Sequence, residues 1–230
     1  VINFIGAGTV VRGTSSTLTA VPFRDNAGDN QLLFTGEFLG SQILSTPGGW
    51  VMQTDDNLAK QVKCYQFDST GSTTIPGITW GSGSIAWAVL LTFTGIASAA
   101  SALDVNGDRA ATTTSTNIIG PASTLTPAGD NELAILVGTK NKTSVSNGTN
   151  FTRPSASWDG IAVQSAPNGS TAAMAIAYWI QTTATAIGAN TAIQGSIAET
   201  TAQSQQGSLF FLKAASVATV PSRTLLGVGV

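Results

Sequence analysis

GDNQLLFTG (residues 28–36) and GDNELAILVG (residues 129–138) are near copies, offset by 101 residues. Each opens on Gly-Asp-Asn, adds one amide or acid side chain, and runs through leucine into an apolar stretch. Gly followed by Asp-Asn suits a turn, because short polar side chains bond nearby backbone N–H groups and tolerate left-handed backbone. The leucines that follow suit a buried strand. The phrase therefore reads as a device that starts a core strand, used twice. The likeness continues downstream: Trp50 in PGGWV and Phe151 in GTNFT each stand 21 residues after the motif's aspartate. Both copies then pass through an aromatic strand, CYQF and AYWI, and end on an apolar one, LLTF and LFFL.

The rest of the chain agrees with strands. No three-turn stretch carries apolar residues at i, i+3 and i+4 with charge opposite. Short apolar runs recur between Gly, Pro, Asn and Asp. They predict strands at Ile2–Phe4, Val10–Val11, Ser16–Ala20, Leu32–Leu39, Trp50–Thr54, Ala59–Phe67, Gly77–Trp80 and Ile85–Phe93. A second set follows at Leu133–Thr139, Ala162–Ser165, Ala172–Ile180, Ile193–Ile197 and Leu209–Leu212. In IAWAVLLTF the large side chains Ile85, Trp87, Val89, Leu91 and Phe93 share one face, with Ala86, Ala88, Leu90 and Thr92 on the other. In AAMAIAYWI, Met174, Ile176, Tyr178 and Ile180 oppose Ala173, Ala175, Ala177 and Trp179. The large faces suit a sandwich core; the small apolar faces suit a second packed surface such as a neighbouring subunit. The polar, Thr-rich segment 101–130 reads as a connection. Neither half carries enough large apolar side chains for a core of its own. The expected fold is all-β: an antiparallel β-sandwich of jelly-roll character, built from two related half-repeats at about 1–100 and 101–214. An apolar tail follows at 215–230.

Composition narrows the function. Of the 230 residues, 10% are charged and 42% hydrophobic, with a net charge of −2. Ordinary soluble domains carry roughly 25% charged residues; Ala, Gly, Ser and Thr fill the gap here. The ten Lys and Arg are scattered, so no basic stripe stands ready to displace phosphate counterions, and nucleic acid is not an expected partner. Ile85–Ala97, the longest apolar stretch, is broken by polar residues and too short to span a bilayer, so no membrane is expected. The first residues lack a basic start, so no signal peptide is read.

Few groups could carry chemistry. There is no histidine and one cysteine, which removes Ser-His-Asp and Cys-His catalysis, the usual zinc sites and any intrachain disulfide. Cys64 in VKCYQF reads as a small buried side chain. Asp55 and Asp56 read as a hairpin cap. The three glutamates, Glu37, Glu132 and Glu199, select no glycosidase pair. Asp104-Val-Asn106-Gly-Asp108 resembles the start of a calcium loop, but Arg109 stands where the glycine belongs and no glutamate closes it, so a turn is expected. A ligand site formed by Asp29 and Asp130 is the alternative to the strand-start reading. No enzyme activity, metal or cofactor is expected. Trp87 and Trp179 sit in apolar strands and read as core. Trp50, Trp80 and Trp158 lie beside Gly or Asp and read as loop tips, with Trp158 in Trp158-Asp159-Gly160 the best candidate for a surface or glycan contact.

The order of the motifs resembles a family of tailed-bacteriophage and prophage virion structural proteins. Their members open on I-x-F-V-G-A-G and continue through G-D-x-L-L, a P-x-G-W turn, an aromatic strand and a long apolar strand, then repeat the G-D-x-L element. The matching positions here are Ile2–Gly8, Gly28–Leu33, Pro47–Trp50, Tyr65–Phe67, Trp87–Gly95 and Gly129–Leu133, with Phe151 replacing the expected tryptophan. The resemblance implies a virion β-sandwich made in the bacterial host cytoplasm. The role expected of it is head decoration (cement): a homotrimer seated on the outer surface where major capsid protein subunits meet. The terminal segments Val1–Val10 and Val217–Val230 would then be anchoring arms, with Ile2, Phe4, Leu225, Leu226 and Val228 as partner contacts. The alternative is a tail- or fibre-associated module that binds a host-surface glycan through Trp158.

Overall fold

A computed structural model describes residues 1–13, 17–37, 46–55, 62–72, 77–79, 86–108, 114–115, 117–140, 151–165, 173–195 and 203–216. Trp80, Asp56, Glu199 and residues 217–230, with Leu225, Leu226 and Val228, lie outside them. The described residues are all-β. The first eight strands are β1 (Asn3–Ala7), β2 (Val11–Gly13), β3 (Thr17–Thr19), β4 (Ala27–Glu37), β5 (Val51–Asp55), β6 (Val62–Thr70), β7 (Gly77–Thr79) and β8 (Ala86–Thr94). The next eight are β9 (Leu103–Asp108), β10 (Thr114–Ser115), β11 (Ile118–Ile119), β12 (Leu133–Lys140), β13 (Gly160–Ser165), β14 (Ala173–Ile180), β15 (Ala192–Ile193) and β16 (Gln203–Leu212).

Two six-stranded antiparallel sheets result. The first has the order β1-β8-β4-β6-β5, with β2 also on β8; the second places β9 and β10 on β16 and continues β16-β12-β14-β13. Two small pairs remain, β3 with β7 and β11 with β15. Adding eight to each label of the first sheet and its small pair gives the second, so the halves share one connectivity. Every described strand of a large sheet comes from one half of the chain. A jelly roll passes its chain back and forth between two sheets, so jelly-roll character is not what these strands display.

Alternation explains the packing. Leu32, Phe34, Trp87, Val89, Leu91 and Phe93 of the first sheet meet Leu133, Ile135, Val137, Ile176, Phe210 and Leu212 of the second in one buried core. The doubled motif keeps its phase: Leu32 and Leu133 point inward, Leu33 and Ala134 outward. Two polar contacts cross the core, Trp87 Nε1 to Thr139 Oγ1 at 3.4 Å and Thr54 Oγ1 to Ser208 Oγ at 3.4 Å.

The outer faces correct an expectation. Ala86, Ala88 and Leu90 are covered by Leu18, Ala20 and Trp50, not by a neighbour. Ala173, Ala175 and Ala177 are covered by Ile118, Leu125, Phe151, Trp158, Ile187 and Ile193. Each half thus folds its own loops over its own sheet, and Trp50 and Phe151, equivalent in sequence, do equivalent work. Trp50 is not a loop tip; it is buried against Phe67, ring centroids 5.3 Å apart.

The polar middle is also more ordered in pairing than a connection. Leu103–Asp108 is neither a calcium loop nor a turn; it is β9, paired with β16 from Ser208↔Asp108 to Leu212↔Leu103. The motif itself differs between copies. Residues 27–30 are already strand, with a bulge between Ala27 and Asn30 and Gly28 at φ +88°. In the second copy β12 starts only at Leu133, and Asn131 takes the positive φ, 59°.

Val1–Val10 is not a free arm. Ile2 is buried in the main core, and Phe4 is half-buried with its ring 5.1 Å from Phe93 and 4.7 Å from Tyr178 of the opposite sheet. Both residues help to hold the two sheets together.

Candidate functional site

Three places gather polar side chains: the two copies of the motif and one groove. In the first copy Asp29 is buried and accepts hydrogen bonds from Arg24 Nε at 3.0 Å, Arg24 Nη2 at 2.5 Å and Asn26 N at 2.9 Å. The Arg24 hydrogen bonds hold its carboxyl below the usual range, against the opposing effect of burial. In the second copy Asp130 accepts from Ala184 N at 2.6 Å. The two aspartates have separate structural partners, and nothing among the described residues gathers them into one ligand site.

The second copy borders a small cavity of about 310 Å³ lined by Gly129, Asp130, Glu132 and Lys213. Glu132 Oε1 accepts from Gly129 N at 3.2 Å, while Oε2 is buried and meets no hydrogen-bond donor among the described residues. Burial, and then the neighbouring Asp104 carboxylate, push the Glu132 carboxyl up to about 7. Asp104 itself accepts from Ala128 N at 2.6 Å. Among the described residues no group of three or more Asp, Glu, Cys or His side chains is placed to hold a metal ion. Cys64 is fully buried, and burial pushes its thiol up, the environment of a structural cysteine.

A wider concavity lies on the second half. It is an open groove of about 430 Å³ between the loop that follows Phe151 and the loop that follows β14. The indoles of Trp158 and Trp179 form one side, centroids 6.2 Å apart and tilted by 45°. Ser155, Ser157, Thr185, Asn190, Thr191 and Gln194 supply polar lining. Both loops are fixed by hydrogen bonds. Thr152 and Gln194 exchange backbone bonds at 3.0 Å, Arg153 Nη1 donates to Trp158 O at 2.7 Å, and Ile180 N donates to Asp159 Oδ2 at 2.6 Å. Across the groove, Gln181 and Thr185 exchange side-chain-to-backbone bonds at 3.0 and 3.2 Å, and Ile187 pairs with Leu125. The bond from Ala184 to Asp130 anchors the same loop, so the second Gly-Asp-Asn holds a wall of the groove.

The two tryptophans exchange the roles expected of them. Trp158 is 2% exposed, so its ring is core and is not presented as a loop-tip contact. Trp179, at the end of an alternating strand, is half-buried and opens onto the groove. No protein-family model, curated protein or solved structure matches this chain. Among the described residues no helix is long and apolar enough to cross a membrane.

Proposed function

We propose that the chain is a tailed-phage virion structural protein of the decoration type. In this role it binds across neighbouring capsid subunits as a homotrimer and adds buried interface that resists the pressure of packaged DNA. The sequence resemblance carries the virion assignment. The observation that supports a docking role is the distribution of exposed apolar side chains. Among the described residues, Val1, Val21, Phe23, Val51 and Met52 are the exposed large hydrophobics, and all belong to the first half. Both outer sheet faces are already covered by the chain's own loops, so among the described residues these positions are the apolar surface open to a partner.

Val21 and Phe23, 55% and 60% exposed, stand two residues apart on one segment. Their segment runs close beside β1: a Cβ on Gly6 would strike the Phe23 ring, and one on Gly8 would strike the Val21 carbonyl. β1 is also a sheet edge, and an apolar rim on an edge is a surface that solution proteins normally blunt. Occupancy on purified capsid shells that lack the protein tests this. Val21→Glu with Phe23→Glu is expected to lower occupancy at least ten-fold while the melting temperature stays within a few degrees. Removing residues 217–230 is expected to lower it as well. A chain that never binds shells, or a double variant that binds them undiminished, overturns the reading.

A further inference from the structure

We infer that the groove beside Trp179 is a binding site for a neutral saccharide. The inference is independent of the docking role argued above and rests on the chemistry of the groove wall. Its size falls within the range of about 300–1,000 Å³ usual for small-molecule sites. The lining contains no Asp, Glu, Lys or Arg side chain. Within that lining an anionic ligand such as a phosphate finds no cation to pair with, and a cationic one no carboxylate; the nearby Arg153 is turned to Trp158 O at 2.7 Å and Asp159 to Ile180 N at 2.6 Å.

The groove is not apolar either. Hydroxyl, amide and backbone groups of Ser155, Ser157, Thr185, Asn190 and Gln194 edge it, and a purely hydrocarbon ligand would bury them without hydrogen bonds. What remains is a ligand with one apolar face and a rim of neutral hydroxyls. A pyranose ring has that form: its axial C–H face lies flat on an indole, and its hydroxyls both donate and accept. Trp179 supplies the flat face, and Trp158 backs it from the core. The site is also preorganised. Asn190 holds a positive φ of 63°, its N–H bonds Pro121 O at 3.0 Å, and the loop closes through Gln181 and Thr185. A fixed wall loses less conformational entropy when a ligand docks.

A panel of neutral and charged oligosaccharides, followed by titration of hits by tryptophan fluorescence, tests the assignment on the full chain. Saturable binding of at least one neutral glycan is expected, with a change in indole emission. Trp179→Ala is expected to weaken it at least ten-fold. Because Trp179 also packs on the outer sheet face, a second variant separates binding from folding. Gly188 lines the groove, and a Cβ added there meets nothing within 4 Å. Gly188→Tyr should therefore plug the groove with an unchanged melting temperature and weaken binding to a similar degree. No neutral glycan bound at millimolar concentration, binding confined to charged glycans, or a hit untouched by Gly188→Tyr would overturn the site.

Discussion

The two copies of the opening phrase differ at one chemically informative residue, Gln31 against Glu132. Gln31 is satisfied at both ends: Nε2 donates to Arg24 O at 2.6 Å, and Oε1 accepts from Thr92 Oγ1 at 2.9 Å. Glu132 occupies the equivalent place with one buried oxygen that meets no donor among the described residues. Its carboxyl is raised from the ordinary 4.5 to about 7 by burial and by Asp104. In that interval the folded chain holds a proton that the unfolded chain releases. Stability contributed by this group is present below about pH 4.5, falls as pH rises, and is gone above about pH 7. The expected size is on the order of 1–3 kcal/mol. Urea midpoints measured from about pH 5 to pH 8 should fall in the wild type, and Glu132→Gln should flatten that fall. An unchanged slope in the variant assigns the effect elsewhere. Cys64 gives a simpler expectation: a thiol reagent should leave it untouched in the folded protein and modify it in denaturant, because burial both shields the thiol and disfavours the thiolate.

Among the elements, the short strap β11 shows how the outer faces are sealed. Gly138 and Gly207 are paired neighbours in the second sheet. A Cβ on Gly138 would lie 2.2 Å from Ile118 Cγ2, and one on Gly207 would lie 2.3 Å from Ile119 O. These glycines let β11 lie flat on the sheet, where Ile119 N donates to Gln205 Oε1 at 2.9 Å and Gly120 N to Thr191 O at 2.6 Å. Gly138→Ala should lift the strap and cost about 1–3 kcal/mol by overpacking. Faster hydrogen exchange at Ile119 and Gly120 would show the lifting, and unchanged stability would mean that the strap has room to yield. The strap also marks the limit of what the sequence made legible. The long alternating strands β8 and β14 were readable because period-two patterning is local. The strands β9, β10 and β11 were not, because runs of two to six residues carry too little pattern and are specified by their partner β16 or by the sheet below. Alanine faces looked ready for another subunit, since a sequence cannot say whose atoms cover them. For the same reason Trp158 and Trp179 were exchanged: flanking Gly and Asp signalled a turn correctly, but the turn folds its indole inward.

At the scale of the whole molecule, the inner faces of the two sheets pack against each other in one core, so the halves should stand or fall together. The chain passes from one sheet to the other through residues 95–102, and that crossing is tied to both. Asp68 accepts from Asn30 Nδ2 at 3.1 Å, Gln66 Nε2 at 2.9 Å and Ala99 N at 2.8 Å, which fixes the crossing to the first sheet. Ala97 N donates to Lys213 O at 2.9 Å and Ile96 bridges to Ala214, which fixes it to the end of β16. Gly95 makes the bend possible, at φ +80° and with Val1 O where a Cβ would sit. Asp68→Ala strands Asn30 and the Ala99 N–H, each a loss of about 1–3 kcal/mol where the group stays buried. The site of the change is the first sheet. If the sandwich opens as one unit, the slowest-exchanging amides of β4 and of β12 should lose the same protection, because both exchange through the same global opening. If β4 loses protection and β12 keeps it, the sheets unfold separately and the shared core is not what holds the halves together.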